Sequence, residues 1–262
     1  MDNKNIVAIV LAAGQGKRMN SSLPKVAHVL LEKPLIIWVM ESLVSAGIKN
    51  ILPVISPTQH LVKEIIGVKN FPTDVNINFG YQDKQLGTAH AVHCGTKVIA
   101  EIFFKEEIPS DLKIVVAYGD TPAVKSETFK QLISLHEYRK NIFTILSFKA
   151  KNPYGYGRII VDEKNDFVAI REQKDCSQEE EKIQICNSGI ICANFSDLIT
   201  ILPMIENKNS ANEYYLTDIP IYAKKRGLKI GLMVEEDESQ FLGINTQEQL
   251  KDMEKVINKI TN

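Results

Sequence analysis

Six consecutive apolar residues, Ile6 to Leu11, run directly into Ala12-Ala13-Gly14 with no polar position between them. A strand with one wet face alternates apolar and polar residues, so an unbroken run reads as a strand buried on both faces. Strands of that kind sit in parallel sheets covered by helices, and the small residues that follow leave backbone N–H groups open at the carboxyl end, where such sheets bind ligands.

The remaining chain keeps the same alternation. Pro34 opens a helical pattern in which Leu35, Trp38, Val39, Leu43 and Ala46 share a face, and Gly47 closes it. Strand Ile51–Ile55, helix Gln59–Ile66, strand Val75–Phe79, a helix opened by Thr88, strand Lys113–Tyr118, helix Glu127–Arg139 and strand Ile142–Phe148 follow. The second half is richer in strands: Arg158–Val161, Phe167–Arg171, Gly189–Ala193 and Lys229–Val234. The expectation is an α/β fold with a doubly wound, mixed and mostly parallel sheet. No Pro/Gly/Ser-rich linker divides it, so residues 1–245 read as one domain. Residues 246–262 read as a terminal helix, opened by the capping box Thr246-Gln247-Glu248-Gln249 and striped by Leu250, Met253, Ile257 and Ile260.

Charge and cysteine usage exclude several classes of function. With 31 basic and 32 acidic residues, the chain has no general attraction for nucleic acid or anionic membrane. Its four cysteines form no C-x-x-C pair, which argues against a zinc staple or a thioredoxin-type motif. The longest apolar runs are strand-sized, with no signal-peptide pattern, and a cytoplasmic protein is expected. His90 and His93 lie three apart on one helix face but lack a third ligand at diagnostic spacing, so a structural role is favoured. His28 and Trp38 are assigned to packing.

The glycine loop is neither of the two common nucleotide loops. A dinucleotide fingerprint needs glycine where Met19 stands, and a Walker A loop needs glycine at Leu11 and Ser or Thr at Arg18. What remains is a small-residue turn followed by Lys17, Arg18 and Lys25. From Gln15 to Lys33 there are four basic residues and one acidic one, a local excess of three on a nearly neutral chain. Such an island suits a polyphosphate or is a solvated basic loop.

Leu11-Ala12-Ala13-Gly14-x-Gly16-x-Arg18-Met19 followed by Leu23-Pro24-Lys25 resembles the signature of sugar-1-phosphate nucleotidyltransferases. Further motifs resemble the uridyltransferase branch: Gln82-x-x-Gln85-Leu86-Gly87-Thr88-Ala89-His90-Ala91, Tyr118-Gly119-Asp120-x-Pro122, Gly155-Tyr156-Gly157-Arg158-Ile159, Asn187-x-Gly189-Ile190, Glu213-Tyr214-Tyr215-Leu216-Thr217-Asp218 and Gly243-Ile244-Asn245. In that branch the domain is followed by hexapeptide repeats that carry acetyl transfer. No such repeat occurs in this sequence, so acetyl transfer is not expected, and the oligomeric state stays open.

The resemblance implies UTP and N-acetylglucosamine-1-phosphate as substrates and Mg²⁺ as cofactor, with Arg18 and Lys25 on the phosphates and Asp120 and Asn245 on the metal. On their own, without the other motifs, Asp120 reads rather as a turn aspartate before Thr121-Pro122 and Asn245 as a loop residue before the Thr246 cap. The resemblance puts the nucleotide on Leu11, Ala12, Ala13, Gly14, Gln82, Gly87 and Thr88, beside Tyr118 and Gly119. It puts the sugar on Gly157, Glu172, Asn187, Tyr215 and Thr217. A glutamine amide at position 82 would match the imide edge of uracil. Thr88 reads equally as a helix cap, and Glu172 as a surface partner of Arg171 or Lys174. Another sugar phosphate, such as glucose-1-phosphate or N-acetylmuramate-1-phosphate, and a noncatalytic nucleotide-sugar sensor are the alternatives.

Overall fold

A computed structural model describes residues 5–105, 107–163 and 166–261, apart from the side chains of Lys17 and of residues 259–261. The first half comprises β1 (Ile6–Leu11), the small hairpin β2 (Val29–Leu30) and β3 (Lys33–Pro34), α1 (Leu35–Ser45), β4 (Asn50–Ile55), α2 (His60–Gly67), β5 (Asn76–Ile77), β6 (Gly80–Tyr81), α3 (Thr88–Phe104), β7 (Lys113–Tyr118) and α4 (Ser126–Tyr138). The second comprises β8 (Phe143–Lys149), β9 (Arg158–Val161), β10 (Phe167–Arg171), β11 (Ile185–Asn194), α5 (Phe195–Ile201), α6 (Ile219–Lys225), β12 (Ile230–Glu235) and α7 (Gln247–Thr261).

All strands except the hairpin pair β2–β3 join one ten-stranded sheet, so the second half elaborates the first half's sheet. β1 lies between β4 and β7 and is parallel to both. Its neighbours are reached through helices on opposite faces, α1 towards β4 and α3 towards β7, which makes the carboxyl end of β1 a topological switch point. Beyond β7 the sheet turns antiparallel through β11, which pairs with β7, β8 and β9 and shifts register between Asn187 and Ile191. β12 returns parallel to β8.

The side chains of β1 alternate between two cores, as the pleat requires. Ile6, Ala8 and Val10 pack with α1, α2 and α4, whereas Val7 and Ile9 pack with α3, α5 and α6. A third cluster joins Leu250, Met253 and Ile257 of α7 to Met19, Leu30, Leu35 and Ile244. Burying each large apolar side chain of that stripe contributes about 1.5–3 kcal/mol, enough to hold α7 on its own chain beside the glycine loop. Ile260, the last residue of the expected stripe, has its side chain outside the described residues.

Two expectations differ from the fold. The strand foreseen over Val75–Phe79 pairs only as the two-residue piece β5, and a second two-residue piece, β6, follows it at Gly80–Tyr81; both lie at the sheet edge, where short strands are the rule. Helices α5 and α6 were not foreseen. Each has seven residues, two turns, which is too short to display a 3.6-residue period.

Asp218 opens α6 next to Glu172 and Asp175. Burial first, and then those two carboxylates, push its pKa up to about 6. A folded-state pKa above the unfolded value means that the native state binds the extra proton, so this group's contribution favours folding at low pH and is lost as pH rises through 6. Asp218→Asn is therefore expected to raise Tm at pH 7–8 and to leave it unchanged near pH 4, as read by thermal melts across that range.

Candidate active site at the carboxyl end of the central strands

The parallel strands β1, β4 and β7 end on the same side of the sheet, and a cleft of about 380 Å³ opens there. Leu11 to Gly14 form one wall, Tyr118 and Asp120 another, and Gln82, Gln85, Gly87 and Thr88 a third. The loop after β1 is anchored through its carbonyls: Gln85 Nε2 donates to Ala13 O at 3.2 Å, while Gly119 N donates to Leu11 O at 3.0 Å. The N–H groups of Ala13 and Gly14 meet no acceptor among the described residues, so they remain available to a ligand.

Four of the residues singled out by sequence meet at the mouth of this cleft. Lys25 Nζ pairs with Asp120 Oδ2 and donates to Asn245 Oδ1 at 2.7 Å, and Arg18 Nη2 donates to the same amide oxygen at 2.9 Å. Each arrives by a different route. Gly16 adopts φ +63°, and a Cβ there would lie 2.6 Å from the Cβ of Lys25, so only glycine lets the two arms of the loop close. Asp120 follows β7, and its carbonyl accepts from Ile244 N at 3.2 Å. Asn245 is held by the cap of α7: Thr246 Oγ1 accepts from Gln249 N, and Gln249 Oε1 accepts from Asn245 N at 2.7 Å. The glutamine arm of the capping box thus reaches one residue beyond the cap, to Asn245.

The donor set is consistent with the implied ion. Asp120 Oδ2 and Asn245 Oδ1 are hard oxygens that already converge on one cation, the Lys25 ammonium. Magnesium takes such oxygens when phosphate oxygens and water complete its shell. Among the described residues no group of three or more His, Cys, Asp or Glu side chains forms a metal cage.

Gly157, Glu172, Asn187 and Thr217 gather in a second cluster beside the cleft. Thr217 Oγ1 donates to Glu172 Oε1 at 3.0 Å, and Asn187 N donates to Gly157 O at 2.8 Å. Among the described residues Glu172 enters no ion pair: Arg171 pairs with Glu180 instead. Burial pushes its pKa up, the Thr217 hydroxyl opposes that, and the Asp175 charge adds to it. Tyr118 stands between cleft and cluster, with its phenol pushed far above the ordinary range by burial and by the charges of Glu172 and Asp120. Tyr215 lies half-buried between Tyr214 and Leu216, its phenol raised by burial and then by Glu213, with Glu172 a smaller cause.

Thr88 is not the helix cap: Gly87 occupies that position. Thr88 Oγ1 instead accepts from Leu216 N at 3.0 Å, while Ala89 N donates to Tyr214 O and Tyr214 N to Leu86 O. Gly87, at φ +116°, makes this possible, because a Cβ there would lie 2.5 Å from Tyr214 O. Sequence reasoning missed the supporting contacts of two residues. Arg158, fully buried, donates to Tyr156 O and to Gln173 Oε1 and so fixes the segment after β10 that carries Glu172. The structural role expected of His90 takes the form of a 3.1 Å contact with the Gln82 amide, a partner that sequence reasoning did not name. The place of His90 eight residues after Gln82 on a helix start was the available signal.

Residues 7–214 match a family model described as nucleotidyl transferase. Curated relatives named "Bifunctional protein GlmU" align along nearly the whole chain. That of Caldanaerobacter subterraneus subsp. tengcongensis is 38% identical over 99% of this chain and 53% of its own length. That of Acetivibrio thermocellus is 39% identical over 96% and 51%, and that of Clostridium kluyveri 40% identical over 97% and 53%. The chain thus spans about half the length of the curated relatives it matches. A family match over most of the chain, on a sheet whose switch point carries the basic loop and Asp120, has one meaning: this chain belongs to the nucleotidyl transferase family.

Proposed function

We propose that this chain transfers a uridylyl group from UTP to N-acetylglucosamine-1-phosphate, giving UDP-N-acetylglucosamine and pyrophosphate. The observation that carries the reading is the meeting of Arg18, Lys25, Asp120 and Asn245 at the mouth of a cleft whose wall holds Gln82. The family match and the resemblance of the 82–91 and 213–218 motifs to uridyltransferases support it.

The attacking group is a phosphate oxygen that is already an anion, so the reaction needs no side-chain base. A bond forms from that oxygen to the α-phosphorus as the bond from the α-phosphorus to the bridging oxygen breaks, and the electron pair leaves with pyrophosphate. What the protein supplies is alignment of two anions and positive charge where negative charge gathers. Arg18 and Lys25 provide that charge, and a bound phosphate offers Lys25 an anionic partner other than Asp120. Asp120 and Asn245 would hold Mg²⁺, whose positive charge would offset the negative charge that gathers on the phosphates. The free N–H groups of Ala13 and Gly14 extend the cradle. Beside it, the Glu172 carboxylate, Asn187 and Thr217 form a polar cluster suited to sugar hydroxyls.

A pyrophosphate-release screen of four nucleoside triphosphates against several sugar-1-phosphates is expected to single out UTP with N-acetylglucosamine-1-phosphate. Equal rates with glucose-1-phosphate would transfer the sugar assignment elsewhere, and binding without release would favour a sensor. Asp120→Ala is expected to lower kcat by about a hundred- to thousand-fold, the scale of a lost transition-state charge contact. Arg18→Ala and Lys25→Ala are expected to lower kcat more than they raise the UTP KM, because the charge they meet peaks in the transition state.

Glu172 gives a pH dependence with a defined sign. Ionised, its carboxylate can accept from two sugar hydroxyls through both oxygens; protonation turns one oxygen into a donor and weakens the other, and its pKa is raised. The KM for the sugar phosphate is therefore expected to rise on acidification at pH values above the ordinary carboxylate range, with the UTP KM steady. Glu172→Gln is expected to raise that KM roughly ten- to hundred-fold at neutral pH and to erase this pH limb.

A further inference from the structure

Gln82 is 4% exposed, yet it lines the cleft. Its amide nitrogen faces two groups at once, the Gly87 carbonyl oxygen at 3.0 Å and His90 Nδ1 at 3.1 Å. A carbonyl oxygen only accepts, so the atom beside it is the NH₂ group and not the amide oxygen. One amide hydrogen goes to Gly87, and the other points at His90. Nδ1 must then carry a lone pair, so the ring is neutral with its proton on Nε2. Burial, and then the Lys97 ammonium, hold the His90 pKa below the usual imidazole value, in the same sense.

With both hydrogens taken, the side chain has only its oxygen left, and that oxygen meets no donor among the described residues. An acceptor there suits a base edge that presents N–H, as N3 of uracil does, and repels one that presents a lone pair, as N3 of cytosine does. Turning the amide over would exchange those preferences. It would also set the amide oxygen against the Gly87 carbonyl and, as long as the ring proton stays on Nε2, against the His90 lone pair.

We propose that His90 is a positioning residue for base choice: by accepting from the Gln82 amide it locks that side chain with its oxygen towards the nucleotide. The inference rests on the uridylyl-transfer reading and assigns that site's discrimination to a residue that need not touch the base. Gly87 supplies the other half of the lock through its backbone, which no side-chain substitution removes. His90 is the half that can be tested.

The test compares kcat/KM for UTP with that for CTP in wild type, His90→Ala and His90→Asn. An asparagine Oδ1 falls close to where histidine Nδ1 lies and can accept the same hydrogen. The UTP/CTP ratio is expected to fall about ten-fold in His90→Ala, the cost of one lost buried hydrogen bond, and to stay within about two-fold of wild type in His90→Asn. Where turnover is too low, competition binding of UTP and CTP reads the same ratio. An unchanged ratio in His90→Ala, or equal losses in both variants, would overturn the proposal. Wild type that releases no pyrophosphate from UTP with any sugar phosphate would instead defeat the uridylyl-transfer reading.

Discussion

β1 is the constraint on which this molecule hangs. Its residues Ile6 to Val10 are sealed on both faces, and both of its edges are paired to parallel neighbours, so it has no freedom to shift register or tilt. A strand so confined must release its chain at one fixed point in space. Residues 11–14 leave it there with the N–H groups of Ala13 and Gly14 unpaired among the described residues, and β7 delivers Gly119 and Asp120 to the same height, because Leu11 and Tyr118 are register partners. The geometry of the candidate site is in this sense a consequence of sheet register. Gly119 N bonding to Leu11 O extends the ladder one step past the strands and into the site.

Upon that frame the structure gathers charge that would otherwise repel or stay solvated. Lys25 joins Asp120, 95 positions away, and Asn245, 220 positions away. The side chains of Lys25 and Asp120 are only 15% and 17% exposed, so removing either leaves the other half-desolvated without a counter-charge. Such a pair is poorly suited to simple stabilisation and well suited to exchange, since a phosphate can take the lysine and a divalent ion the carboxylate. The helix α7 belongs to this arrangement and is no mere appendage. Its apolar stripe buries Met19 and Ile244, the neighbours of Arg18 and Asn245, and its capping glutamine holds the Asn245 backbone.

Much of the fold was legible because buried strands and amphipathic helices write their periods directly into the residues. The run Lys113–Tyr118 and the strands Arg158–Val161 and Phe167–Arg171 were bounded correctly from apolar pattern alone. Features shorter than a period were not legible: α5 and α6 have two turns each, and the edge pieces β5 and β6 have two residues each. Of the site, the basic loop was legible in its charge excess, and the other members only through resemblance of their motifs. Thr88 was ambiguous because a threonine at the start of a helix is an equally good cap. Only the packing of segment 214–216 against α3 showed its hydroxyl turned to Leu216.

By itself, then, the sequence determined a helix-covered sheet with β1 at its heart, a small-residue loop that is neither dinucleotide fingerprint nor Walker A, and a chain without general charge attraction. Those properties are local sums over neighbouring residues, and neighbours are what a sequence displays. Only the tertiary structure decided that Lys25 would stand between Asp120 and Asn245, that Glu172 would turn to Thr217 rather than to Arg171, and that His90 would face the Gln82 amide. Each of these is a hydrogen bond between loops or helix ends brought together by sheet register. Directional bonds of a few ångströms depend on the placement of the whole backbone, which no single stretch of residues specifies.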